Sequence, residues 1–213
     1  MAENPKLLDL RKLLAERFPQ PVQTASDTFR TGQELIDSTL GGLPKGAITE
    51  ISSPSQSAGS ASLITDFVEA AADSGYFIAL IDGRDSFDPA PLRRSALRHL
   101  LWVRCGEAVE AFKAADLLLR DGNFPVVVLD LVLNMPNEFR RIPSTSWYRL
   151  QRLTETSSTA FLVLSRRSLV ASAHLKLTLL NNWNLQTFER KDALSFLELE
   201  ITRSHSSLQA KAG

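Results

Sequence analysis

Three short apolar runs, each closing on a polar residue, constrain this chain more than any other feature: YFIALID (76–82), FPVVVLD (124–130) and AFLVLS (160–165). Runs this short, rich in β-branched and aromatic residues and apolar at nearly every position, suit strands covered on both faces, as in a parallel sheet. Between them the apolar period becomes helical. Leu63, Ile64, Phe67, Val68 and Ala71 form one stripe, Val109, Phe112, Leu117, Leu118 and Leu119 a second, and Trp147, Leu150 and Leu153 a third. Strand–helix alternation with right-handed crossovers predicts an α/β fold, a mostly parallel twisted sheet flanked by helices. The C-terminal end changes character: LKLTLL, WNLQTFE and LSFLELEIT read as successive strands, antiparallel at this end, with RKDA as a hairpin turn.

Ahead of this body, PKLLDLRKLLAERF spaces Leu7, Leu10, Leu14 and Phe18 along one face of an amphipathic helix over 1–18, which either packs on its own domain or docks on a partner, two readings that helix spacing does not separate. Residues 19–28, interrupted by Pro19 and Pro21, read as a linker; 29–202 form the α/β domain and 203–213 a polar tail. The 24 basic and 24 acidic residues cancel, which argues against holding DNA by bulk positive charge and leaves room for a local basic face. Two groups of cations are candidate contacts to DNA or a partner. PLRRSALRHLLWVR supplies Arg93, Arg94 and Arg98, read as a helix face with Trp102 and Arg104 behind it; Arg140, Arg141, Arg149, Arg152, Arg166 and Arg167 form the second group. The single Cys105 excludes an internal disulfide framework, and His99, His174 and His205 lack metal-ligand spacing. No apolar run approaches the roughly 20 residues of a membrane helix, and MAENPKLLDLRK lacks a signal-peptide layout. A cytoplasmic setting is the expectation, with nucleoid association as the alternative and no membrane.

The segment EISSPSQSAGSASL (50–63) follows a strand-like AITEI and precedes the first helical stripe, where a phosphate-binding loop belongs in such a sheet. Such a loop needs glycines for curvature, a lysine for the phosphates and a hydroxyl for Mg²⁺. This segment has one glycine, Gly59, and no lysine. VVVLD ends in Asp130, where a Walker B carboxylate would stand. Ser57 and Ser62 have no base beside them, and G-x-S-x-G is absent.

The ordered run TGQELIDSTLGGLPKGAITEI, IDGRDSFDP, LLWVRCGEAVEAFKAADLLLRDGNFPVVVLD and SAHLKLTL resembles RecA-type recombinases over about residues 31–202. The resemblance implies a RecA-like core with a nucleotide site at the strand ends. Its short length and the opening LRKLLAERFP look most like the ImuA branch, accessory proteins of damage-induced mutagenesis. Laid on the family loop, Ser53 takes the place of the first glycine, Ala58 is an insertion, Gly59 matches, Ser60 replaces the lysine and Ala61 the metal-ligating hydroxyl. Arg84 stands where the family has its water-activating glutamate, and a guanidinium cannot act as a base. Ser165 and Arg166 replace a polar sensor pair, which leaves Asp130 from the catalytic set.

The resemblance therefore implies a pseudo-ATPase for which no cofactor is expected, with weak nucleotide binding without hydrolysis left open as an alternative. Its expected role is an accessory scaffold in SOS-type translesion synthesis, partnered by a Y-family-polymerase-like subunit and an error-prone polymerase, with weak DNA binding and self-association as further expectations. The rivals are a SulA-like inhibitor of the tubulin-like division protein, a nucleotide sensor, and a divergent DNA-stimulated ATPase in which Arg84 and the serines replace the lysine. NMPNEFRRIPSTSW, after the Walker B-like strand, lies where RecA-type proteins carry a DNA-binding loop.

Overall fold

The computed structural model describes residues 28–55, 59–181 and 198–204, together with Lys12, Leu13, Glu16 and Arg17. The candidate docking positions Leu7, Leu10, Leu14 and Phe18, the WNLQTFE strand and the RKDA turn lie outside the described residues. The chain enters through a two-stranded antiparallel ribbon, β1 (Thr28–Phe29) with β2 (Leu43–Pro44), closed around helix α1 (Glu34–Leu40). Asp37 fixes this entry: its carboxylate accepts the Thr31 and Gly32 N–H groups and the Thr31 hydroxyl.

The main sheet has seven strands: β3 (Ala47–Ser52), β4 (Ile78–Asp82), β5 (Leu100–Arg104), β6 (Val126–Asp130), β7 (Ala160–Ser165), β8 (Leu175–Leu179) and β9 (Leu199–Ser204). Their spatial order is β5-β4-β6-β7-β3-β8-β9. Every neighbouring pair is parallel except β8 and β9. The expected mostly parallel sheet with an antiparallel end is therefore found. Helices α2 (Ser60–Asp73), α3 (Arg94–Leu97), α4 (Ala108–Asp121) and α5 (Ser144–Ser157) make the crossovers.

Strand alternation divides the interior into two layers. Ile78, Leu80, Val126, Val128, Leu162 and Leu164 face the α2 side, where Leu63, Ile64, Phe67, Val68 and Ala71 pack as the stripe predicts. Ala79, Ile81, Val127, Leu129, Phe161 and Val163 face α4 and α5. Full burial of side chains this size contributes about 1.5–3 kcal/mol each before conformational entropy is charged against it. Because both faces are covered, the strands read as unbroken apolar runs.

Two strands start later than the apolar runs suggest. Tyr76 and Phe77 precede β4, with the Tyr76 N–H bonded to Ala71 O of the preceding helix at 2.8 Å. Phe124 and Pro125 precede β6; proline has no N–H to give a ladder, although the Pro125 carbonyl accepts the Ala160 N–H at 2.8 Å. The segment PLRRSALRHLLWVR is not one helix face. Only Arg94–Leu97 is helical, while Trp102 and Arg104 lie on β5.

Candidate functional site

In a parallel sheet of this kind the loops leaving the carboxyl ends of the strands form the site. After β3 the chain stays alongside β7 for one more residue, the Ser53 N–H donating to Ser165 O at 2.7 Å. The Ser53 side chain is buried, and its hydroxyl has no hydrogen-bond partner among the described residues. Gly59 then N-caps α2 with φ of 91°, a left-handed conformation suited to glycine. Ser60 and Ala61 open the helix, whose first N–H groups lack intrahelical partners, and neither a capping side chain nor an acidic first-turn residue answers them. Such a helix end favours an anion, but residues 53–62 contain no cation to assist it. The Thr65 hydroxyl is turned back to Ala61 O at 3.1 Å.

Strands β4 and β6 finish in register on Asp82 and Asp130. The two carboxylates have different surroundings. Asp82 is buried and gathers N–H groups of its own loop, from Ser86 and Phe87 at 2.8 Å each and Arg84 at 3.2 Å, with the Trp102 indole at 3.3 Å. Asp130 accepts the Val132 N–H at 3.0 Å. Burial pushes its pKa up to about 6; the Val132 bond opposes this, and the nearby Asp82 charge adds to it.

Arg84, which the divergent-ATPase alternative would set in place of a phosphate-binding lysine, is paired within the strand-end loops. Its guanidinium donates to Gly106 O at 2.8 Å and faces Glu138 at 3.4 Å. Glu138, in the 3₁₀ turn Glu138–Arg141, also accepts the Ala108 and Met135 N–H groups at 2.8 Å each and the Asn134 amide at 2.9 Å. Burial alone would raise its pKa, but these donors and Arg84 hold it below the ordinary glutamate value. Asn134 also donates to Gly83 O at 2.9 Å. A Cβ on Gly83 would fall 2.3 Å from Asn134 Oδ1 and 2.7 Å from Asp130 O, so the close approach of these loops requires glycine there. The result is a latch that joins the loops after β4 and β6 to the start of α4.

The other candidates are spread around the molecule. Ser165 is buried and its hydroxyl donates to Arg167 O at 2.8 Å, with Arg166 and Arg167 exposed on the loop beyond. Arg93 is held by Glu69 and Asp73 on α2, whereas Arg94 and Arg98 are exposed. Arg140 and Arg141 lie on the 3₁₀ turn, and Arg149 pairs with Asp116 at 2.6 Å. The second basic group is thus divided among three elements. Ser57 and Ala58 lie outside the described residues, and these contain no cluster of three or more metal-ligating side chains.

Sequence reasoning missed Asp82, Asn134 and Glu138, and it missed Glu50. Glu50 is buried in β3, where it accepts the Val170 N–H at 3.0 Å and the Ser168 hydroxyl at 2.9 Å and pairs with Lys176 at 3.1 Å. Asp82 carried a signal, since it too closes an apolar strand. Asn134 and Glu138 sit in a polar segment with no distinguishing pattern, and Glu50 is a lone carboxylate inside the strand-like AITEIS.

A strand order of this kind, with its helix-leading loop after β3 and paired aspartates on β4 and β6, defines a RecA-like α/β core. The RecA N-terminal domain family matches residues 15–139, and the chain belongs to that family. RecA of Bifidobacterium breve is 36% identical over 117 residues, covering 53% of this chain and 29% of that protein. RecA of Methylococcus capsulatus is 34% identical over 110 residues, covering 50% of this chain and 31% of that protein. The match therefore spans under a third of these relatives. The crystal structure of the RadB recombinase superposes with a TM-score of 0.55 at 20% identity, covering 70% of this chain and 81% of that one, a likeness of fold.

Proposed function

We propose that this RecA-related chain does not hydrolyse ATP and acts through its surfaces, as an ImuA-type accessory scaffold in damage-induced translesion synthesis. The latch carries this reading. The residue in the place of a water-activating base is an arginine, and its guanidinium is held by Gly106 O and Glu138. With Ser60 and Ala61 opening α2, the site lacks the lysine and metal hydroxyl on which phosphoryl transfer depends. The degenerate loop retains a helix end suited to an anion, so weak nucleotide binding without turnover belongs to the same reading. By the same resemblance, its partners are a Y-family-polymerase-like subunit and an error-prone polymerase.

The test is ATP turnover by the purified chain, with and without single-stranded DNA, alongside affinity capture from cells after DNA damage. Background turnover and recovery of polymerase components are expected. Steady hydrolysis abolished by Asp130→Ala would overturn the non-catalytic part, and recovery of the tubulin-like division protein instead would overturn the assigned role.

A further inference from the structure

A cleft of about 260 Å³ lies between α4, α5 and the end of the segment that follows β6, on the face of the sheet opposite α2. Its wall is apolar: Val109 and Phe112 from α4, Leu150 from α5, and Ile142 from the segment between β6 and α5. Phe112 meets Trp147 edge-on, ring centroids 4.5 Å apart, which stiffens that wall. The rim is cationic. Lys113, Arg141 and Arg149 border the opening, where Asp116 is the one carboxylate among the described residues. Asp116 is already answered twice, by Arg149 at 2.6 Å and Arg120 at 3.0 Å. Arg141 reaches a carboxylate only at 3.8 Å, on Glu107, and Lys113 is exposed with no ion pair among the described residues. In a chain whose 24 basic and 24 acidic residues cancel, this rim is a local excess of positive charge around an apolar opening.

We propose that the cleft docks a short acidic segment of a partner protein, which inserts one apolar side chain between α4 and α5 and sets its carboxylates against Lys113 and Arg141. The apolar wall supplies the anchor pocket and the rim supplies the sign of charge, the usual division between hot spot and steering. A nucleic-acid strand fits less well, because a base stacks on an exposed ring face, and Phe112 is buried and packed against Trp147. The inference goes beyond the proposed scaffold role and does not depend on the nucleotide site, so the assay is run without nucleotide.

The probe is a fluorescein-labelled dodecapeptide of alternating glutamate and alanine around one central tryptophan, read by anisotropy against the intact chain, with its lysine-for-glutamate counterpart as control. The acidic peptide is expected to bind and the basic one not. Lys113→Glu with Arg141→Glu should weaken binding by about tenfold or more. Ser146→Trp, which fills the opening and leaves the charges in place, should weaken it similarly, with circular dichroism confirming that both variants are folded. The proposal is overturned if the acidic peptide does not bind, if the two peptides bind alike, or if neither variant changes affinity. Displacement of the peptide by oligothymidylate would also overturn it, in favour of a nucleic-acid surface.

Discussion

Truncating Glu138 to alanine should remove the latch at the strand ends. Its carboxylate accepts the Ala108 and Met135 N–H groups at 2.8 Å, takes the Asn134 amide at 2.9 Å and faces Arg84 at 3.4 Å. Losing this bond leaves the Ala108 N–H at the start of α4 without its acceptor, comparable to losing an N-cap, about 1 kcal/mol. The bonds from Asn134 and Met135 end on an ionised acceptor; buried, each would contribute about 1.5–3 kcal/mol, but water can refill this partly open site and about 1 kcal/mol each is the fitting discount. Arg84 is over a third exposed and adds only a few tenths. The total is about 3 kcal/mol, or roughly a 6–12 °C fall in Tm for a domain of this size. The pH dependence has a definite sign. A carboxyl whose folded pKa is depressed contributes stability that is present above its unfolded value, about 4.3, and lost as pH falls through the folded value. The gap between wild type and Glu138→Ala should therefore be full at pH 7 and narrow below about pH 4. Thermal melts by circular dichroism at both pH values measure it. A fall of less than about 2 °C at pH 7, or a gap indifferent to acid, would refute the reasoning.

Two further outcomes follow from the same loops. Asp130→Asn should stabilise the chain at pH 8 by on the order of 1–2 kcal/mol, because a carboxyl raised to about 6 by burial loses stability as pH rises through that value, and the advantage should vanish near pH 4; denaturant melts showing Asp130→Asn to be destabilising at pH 8 would mean that the charge is used. Gly83→Ala should destabilise by about 2 kcal/mol through its overlap with Asn134 and the Asp130 carbonyl; adding Asn134→Ala should cost less than the sum of the two single changes, and strict additivity in urea midpoints would count against the contact.

What the sequence made legible was what local period can encode. The strand AFLVLS has the expected bounds, Ala160–Ser165, and the α2 stripe faces the core as its spacing requires. Asp130 was found because it closes a buried run. Asp82 closes another, but position alone does not distinguish a carboxylate that caps its own loop from one that faces a ligand. The arginines of PLRRSALRHLLWVR were read as one face because a basic helix and a short helix running into a strand have the same composition over so few residues. Arg84 shows the limit most clearly. Its residue type excluded a general base at once, but its partners, Gly106 and Glu138, come from other crossovers of the sheet and only the fold brings them to it.

The charged groups at the carboxyl edge are mostly turned toward the protein itself. Asp82 binds the amides of its loop, Glu138 binds the start of α4, and Arg84 binds Glu138. Asp130 is the exception, with a single side-chain hydrogen bond among the described residues and a pKa raised by burial rather than lowered by a cation. An edge built to hold phosphate keeps its donors and cations free until the ligand arrives, and accepts some instability in the empty state. An edge whose groups satisfy one another is more stable empty and has less to offer a ligand. On the proposed reading, then, the latch contributes a rigid shape, holding the segment after β6 so that Ile142 and Arg141 stand at fixed positions on the α4–α5 cleft. Glu138→Ala is therefore expected to weaken the acidic peptide at that cleft although Glu138 does not line it, a coupling that independent sites would lack.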